Sequence, residues 1–231
     1  MCGRFVSTST SLSLADFFSL DAVEEQLLEA GPRYNVAPTA LVRVVLERGE
    51  SRVLTACRWG LVPSWAKDES IGVRMINARS ETVATKPSFR SAFAKRRCII
   101  PVDGFYEWVN LAESKTKQPY FIYSSAEEPL AFAGLWEEWR GDHVEGAEDS
   151  VLRTCTIITT QANQKISALH ARMPVILPRE SWEHWLSPQE QQRESLEELL
   201  VPAEEDVLEY FAVSTEVNNA RNQGEQLIKA L

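Results

Sequence analysis

The sequence predicts an α+β protein, a single β-rich domain with barrel-like mixed sheets, flanking helices and a helical C-terminal region. Three observations predict it. Runs rich in β-branched and aromatic residues recur through most of the chain, each bounded by Gly, Pro or polar clusters. The final third turns acidic and reads as helices. No repeat, low-complexity tract or linker divides the 231 residues, which suffice for one domain (1–231) with a real core.

Taken in order, Ser13 is placed to cap a short helix near ADFFSL, and residues 22–30 read as helical. Strands are expected at LVRVVLE (41–47), SRVLTACRWGLV (51–62), RCIIPVDGFYEWV (97–109), QPYFIYSS (118–125), LAFAGLWEEW (130–139), LRTCTIITT (152–160) and RMPVILP (172–178). The stretch from Ser80 to about Arg97 is expected to be partly helical, with Ser80 as its cap and Pro87 interrupting it. Helices are expected at SWEHWL, QEQQRESLEELL and EQLIKAL, so that 178–231 forms a helical extension of the same domain.

Hydrophobic content of 44% and charged content of 25% are ordinary for a globular protein. No apolar run reaches the roughly 18 residues of a membrane span, and MCGRFVSTSTSLSLADFF lacks the apolar stretch of a signal peptide. The expectation is therefore a cytoplasmic protein with no membrane partner. Net charge of −9 argues against nucleic acid on its face, but residues 52–97 carry ten Lys or Arg against three Asp or Glu. Such a basic stretch can still meet phosphates, because charge acts over a Debye length of about 8 Å. Alone it reads equally well as a solvated face. The acidic stretches, 137–149 and much of 180–209, read as solvated loops and helix faces. Cys57, Cys98 and Cys155 lie in apolar strand-like runs and read as small buried hydrophobes. His143, His170 and His184 are too scattered to suggest a metal site, and no cofactor is expected.

The opening MCGRF poses the chemical question. Cys2 is incidental, lipidated, bridged or reactive. Lipidation lacks its signal, and no C-x-x-C pair supports a bridge. The reactive reading needs Met1 removed, which leaves an α-amine and a thiol on neighbouring carbons. That 1,2-aminothiol captures aldehydes as a five-membered thiazolidine.

NVAPT (35–39), RWGLVPSWAKD (58–68), NARSET (77–82), KPSFRSAF (86–93), RRCIIPVDGFYEW (96–108) and HARMPVIL (170–177) are polar and specific where a strand needs only apolar bulk. With MCGRF, and in this order, they closely resemble the SOS response-associated peptidase family, over residues 2 to about 177. The resemblance implies a sensor of abasic sites in single-stranded DNA, including sites at junctions near replication forks. Its mature N-terminal cysteine would crosslink to the ring-opened aldehyde. It implies catalytic roles for Cys2, Asn77, Glu107 and His170 and phosphate contacts for Arg4, Arg79 and Arg172. Trp65, between Pro63 and Lys67, is the candidate to stack on a base, and Pro38 and Lys86 are further candidate DNA contacts. Crosslink reversal and strand cleavage by β-elimination follow as possible side activities, with a monomer bound to the nucleoid only through its DNA.

The residue types suit that chemistry. A terminal amine has a reference pKa of about 7.7–8.0 against about 10.4 for lysine, so far more of it is neutral and nucleophilic. Glu107 follows two aromatics that would raise its pKa by desolvation and suit it to shuttling a proton at the sugar ring oxygen. His170 suits proton movement on a hydroxyl, Asn77 can hold an oxygen without charge, and arginine forks clamp phosphates. Taken singly, Glu107 reads as a core ion-pair partner and His170 as a satisfied buried histidine rather than as catalysts, and Asn77 offers a helix cap less well placed than Ser80. Two other functions share these residues. One is an N-terminal-nucleophile cysteine peptidase or amidohydrolase with autoprocessing, which would need an oxyanion hole. The other is a non-catalytic module reading modified bases.

Overall fold

The computed structural model describes residues 2–111, 116–141, 151–189 and 192–231. The β-branched runs form the longest strands: β4 (Leu41–Arg48), β5 (Ser51–Trp59), β10 (Leu130–Arg140) and β11 (Val151–Gln161), joined by β7 (Arg97–Val102). β4 and β5 form a hairpin in which Arg48 faces Ser51, so the turn has two residues and needs a positive φ. Gly49 supplies it, at +65°. β4 pairs β7, β7 pairs β10, and β10 pairs β11. β11 then returns to β5 in parallel through Thr154 opposite Arg58 and Cys155 opposite Trp59. These pairings close a five-stranded barrel.

Alternation along each strand gives the barrel two faces. Val45, Leu54, Ile99, Ala133 and Ile158 pack against α1 (Ser11–Phe18), α2 (Arg90–Lys95), α4 (Trp182–Leu186) and α5 (Arg193–Glu198). A five-stranded ring has no room for helices inside, so this face is the outer one. The inner set holds Val44, Leu46, Cys57, Cys98, Ile100, Phe132, Cys155 and Ile157. Gly134 belongs to the inner row, where an added Cβ would lie 2.9 Å from Cys98 Sγ. Burial pushes the Cys57 thiol up to about 12, and Cys98 and Cys155 are raised by the same cause. All three are the inert hydrophobes that their sequence runs imply.

A second sheet has the order β13–β9–β8–β1–β3, from β1 (Phe5–Ser7), β3 (Arg33–Val36), β8 (Gly104–Val109), β9 (Gln118–Ser124) and β13 (Leu208–Ala212). It adds Phe5 and Phe105 to the inner cluster, with ring centroids 5.1 Å from Trp59 and 5.5 Å from Phe132 respectively. Three short strands edge the barrel: β2 (Ala22–Val23) on β5, and β6 (Asn77–Arg79) and β12 (Arg172–Pro174), both on β11.

Several expectations need correction. Thr10, not Ser13, caps α1 by accepting from the Ser13 N–H. Residues 22–30 are not a helix, because Ala22 and Val23 are drawn into pairing with β5 and only Glu25–Leu27 makes a 3₁₀ turn. The run 97–109 is two strands in different sheets. Asp103 divides them, accepting from the Thr8 N–H at 2.5 Å and from the Ser9 N–H and hydroxyl. No helix begins at Ser80; α2 occupies only Arg90–Lys95. The C-terminal region is helical only in part, since LEYFA within it is β13, and EQLI is a single 3₁₀ turn. Residues 190 and 191 of the expected helix 189–200, and the acidic run 137–149 beyond Gly141, lie outside the described residues.

Candidate active site

β1 carries the N-terminal residues between the two sheets. Phe5 stands opposite Phe105, and the Tyr106 N–H donates to the Arg4 carbonyl at 3.0 Å. Side chains on β8 alternate, so Phe105 and Glu107 share one face while Tyr106 and Trp108 occupy the other. Phe105 lies in the inner cluster with Cys2, and Tyr106 packs in a separate cluster with Val6. Glu107 is thereby delivered, buried, to the side on which Cys2 lies. Cys2 is fully buried. Burial first, and then the charge of Glu107, raise its thiol well above the usual range.

Asn77 and His170 arrive through β11. In β6, Asn77 faces Ile157 and Arg79 faces Thr159. Asn77 Nδ2 donates to the Cys2 carbonyl at 2.8 Å. Asn77 Oδ1 is buried and accepts no hydrogen bond from the described residues. His170 follows α3 (Gln164–Ser167), capped by Asn163, whose Oδ1 accepts from the Ile166 N–H at 2.9 Å. The His170 N–H then donates to the Ile166 carbonyl at 3.0 Å, and Ile166 packs in the Cys2 cluster. The Arg172 backbone serves His170 Nδ1 in either proton state. Its N–H lies 3.0 Å away, a donor when Nδ1 holds a lone pair, and its carbonyl lies 3.1 Å away, an acceptor when Nδ1 is protonated.

Asn77, Arg79, Thr82, Thr85, Lys86 and Phe89 line one open cleft of about 600 Å³. Three expected site residues thus share a surface, with exposed Arg79 and Lys86 supplying positive charge beside Asn77. The other two arginines are engaged. Arg4 donates to Asn35 Oδ1 at 2.7 Å and to the Val217 carbonyl at 3.0 Å, and its guanidinium lies 5.6 Å from the Trp108 ring centroid. Arg172 holds Glu81 through two hydrogen bonds, at 2.8 and 3.0 Å. Trp65 is 59% exposed on the loop after β5. Pro38 sits half-buried in the turn between β3 and β4, where the Thr39 N–H donates to the Trp59 carbonyl at 2.8 Å. Neither is among the residues lining the cleft. Among the described residues, no group of three or more His, Cys, Asp or Glu is placed to hold a metal ion.

Two residues matter that the sequence reading left without a role. Asn35, buried, accepts from Arg4 and donates through Nδ2 to the carbonyls of Val217, Asn219 and Asn222 at 3.0–3.2 Å. Glu81 pairs with Arg172. Both stood inside quoted motifs, NVAPT and NARSET, and being polar residues there was their one signal.

Residues 1–220 match the model of the SOS response associated peptidase (SRAP) family. The chain belongs to this family. It is 43% identical to the abasic site processing protein YoqW of Bacillus subtilis, across the whole of both chains. It is 32% identical to the abasic site processing protein YedK of Escherichia coli, covering 99% of each. A crystal structure of a protein from Bacteroides thetaiotaomicron superposes with a TM-score of 0.88 over the full length of both chains. At 24% identity it establishes the shared fold of this SRAP domain.

Proposed function

We propose that this SRAP protein processes abasic sites, capturing them in single-stranded DNA as a covalent thiazolidine on Cys2. The observation that carries the proposal is the convergence on Cys2. Asn77 holds its carbonyl at 2.8 Å, Glu107 is buried on the face of β8 that it shares with Phe105 of the Cys2 cluster, and the cleft beside Asn77 is lined by Arg79 and Lys86. The names of the YoqW and YedK relatives supply the substrate class, and the single-strand preference follows the motif resemblance.

Removal of Met1 frees the Cys2 amine. Glu107 shuttles a proton at the ring oxygen of the closed sugar, releasing the aldehyde. The amine nitrogen adds to C1′, its proton passes to the oxygen, and the carbinolamine loses water to give an imine. His170, its ring set by the Arg172 backbone, is suited to protonating the departing hydroxyl. The Cys2 S–H then adds across the C=N bond, sulfur to carbon and proton to nitrogen. One water is released overall. Asn77 orients residue 2 through its carbonyl, so the amine and thiol present one geometry and ring closure benefits from proximity. Strand cleavage would proceed from the same imine, and reversal of the ring through Glu107. A resting thiol kept protonated by burial and Glu107 disfavours the alternative, in which a preformed Cys2 thiolate attacks an amide. Action on DNA would place the protein at the nucleoid when bound; no helix among the described residues is long and apolar enough to cross a membrane.

The test is a denaturing gel of the mature protein with a single-stranded oligonucleotide carrying one abasic site. A shifted band from wild type and none from Cys2→Ser is expected. Equal bands, or none from wild type, would refute the proposal.

A further inference from the structure

The arginine fork nearest His170 is already filled. Arg172 Nη1 donates to Glu81 Oε1 at 2.8 Å and Nη2 to Oε2 at 3.0 Å. Nη2 also donates to the Thr159 carbonyl at 2.6 Å, and Nε lies 3.3 Å from Thr159 Oγ1. The two partners are unequal. The Arg172 side chain is 16% exposed and tied to β11, whereas the Glu81 side chain is 44% exposed. Arg172 is thus the fixed element and Glu81 the displaceable one.

Glu81 lies two residues beyond Arg79, which stands opposite Thr159 in the β6–β11 pairing. Hydrogen bonds from Arg172 and the charges of Arg172 and Arg79 hold the Glu81 carboxyl below its usual range against the opposing pull of burial. It is therefore ionised at neutral pH and holds one of the three arginines that the motif resemblance assigns to phosphate, under the charge of a second, Arg79. A carboxylate and a phosphate present two oxygens to a guanidinium fork in the same geometry.

We infer that Glu81 is an internal phosphate mimic that occupies the Arg172 fork until a DNA phosphate displaces it. This rests on the reading of the cleft as the DNA path. Displacing Glu81 weakens every non-covalent encounter equally and so shortens the stay of all strands; an abasic site then converts its encounter into a covalent bond. Intact strands, which have nothing to trap, are released. The penalty on intact DNA is about two- to fivefold, the range an exposed ion pair carries.

The experiment is equilibrium binding of the full-length protein to an intact oligothymidylate, followed by fluorescence anisotropy across a salt series. No covalent step interferes with that ligand. Glu81→Gln is expected to bind about two- to fivefold more tightly than wild type. In an Arg172→Gln background the same substitution should give no gain. Unchanged or weaker binding by a Glu81→Gln protein that melts like wild type overturns the inference. So does an equal gain in the Arg172→Gln background, which would assign the effect to overall charge. If Glu81→Gln folds poorly, Glu81→Asp carries the test, since its shorter stem keeps the charge but loses the two-pronged contact. It should bind more tightly than wild type, and equal affinity overturns the inference. Wild type that shows no salt-dependent binding fails the DNA-path reading itself, before any variant is compared.

Discussion

β5 and β11 run parallel, so the barrel has an end where both begin and an end where both finish. At the first, Glu24 Oε1 accepts from Arg48 and from Arg153, each at 3.1 Å, and Arg153 also reaches Glu138 at 3.4 Å. Charges there satisfy one another across β4, β10 and β11. At the second end, Asn77, Arg79 and Arg172 sit on three-residue strands hung on β11, and an open cleft lies beside them. The same strands therefore end in a closed ionic patch on one side and beside an open cleft on the other. Stability belongs to the long ladders and the first end. Of the residues proposed to act on DNA, Asn77, Arg79 and Arg172 stand on the short strands, whose few backbone pairings position side chains without burying them all.

If that division is right, substitutions at the two ends should separate stability from crosslinking. The largest effect is at Cys2. Cys2→Ala should abolish the covalent product on a denaturing gel while changing the unfolding free energy, from urea titration, by about 1 kcal/mol or less. A large loss of stability would mean that Cys2 is mainly a core residue. Gly134→Ala probes the barrel between the ends. A Cβ only 2.9 Å from Cys98 Sγ and 3.1 Å from the Thr156 carbonyl overpacks the interior, at an expected cost of about 1–3 kcal/mol in urea. Crosslinking by the folded fraction should persist. Asn77→Ala removes the donor to the Cys2 carbonyl, a hydrogen bond worth about 0.5–1.5 kcal/mol, so the crosslinking rate should fall up to about tenfold and the melting temperature by only a few degrees.

The smallest effect is at Glu24. Burial alone would raise its pKa, but hydrogen bonds from Thr55 and Arg48 and the charges of Arg48 and Arg153 hold it below 4.5. Its folded pKa is thus depressed. The stabilisation it contributes is present above about 4.5 and is lost as pH falls through the lower, folded value. Glu24→Gln should flatten that acid limb of the stability profile by about 1 kcal/mol or less, with crosslinking at neutral pH untouched. Impaired crosslinking would show that the two ends are coupled.

Much of the first region was legible in the sequence. LVRVVLE, SRVLTACRW, LAFAGLWEEW and LRTCTIITT are long enough for β-branched character to speak, and each became a barrel strand. Of the short strands on β11, β12 was legible within RMPVILP but β6 was not: the three residues of NAR carry no periodicity, and pairing with β11, far away in sequence, makes them a strand. LEYFA was hidden in acidic surroundings and forms a strand only because β9 offers an edge. GFYEW continues RCIIPV in composition, yet the hydrogen bonds of Asp103 to residues 8 and 9 turn the chain into another sheet. The candidate site shows the same limit. Ordered motifs named Cys2, Asn77, Glu107 and His170, but only the fold joins Asn77 to the Cys2 carbonyl and sets Glu81 on Arg172.

The Val217 carbonyl, which accepts from both Arg4 and Asn35, also bears on how this protein is made. It enters the ribosomal tunnel 213 residues after Arg4. At about 5–20 residues per second, that is a lag of roughly 10–40 s. During this interval the start of the nascent chain lacks its clasp and stands open to the enzyme that trims initiator methionine. The methionine removal that the proposed chemistry requires therefore has this interval in which to occur, before the C-terminal residues close over the start of the chain.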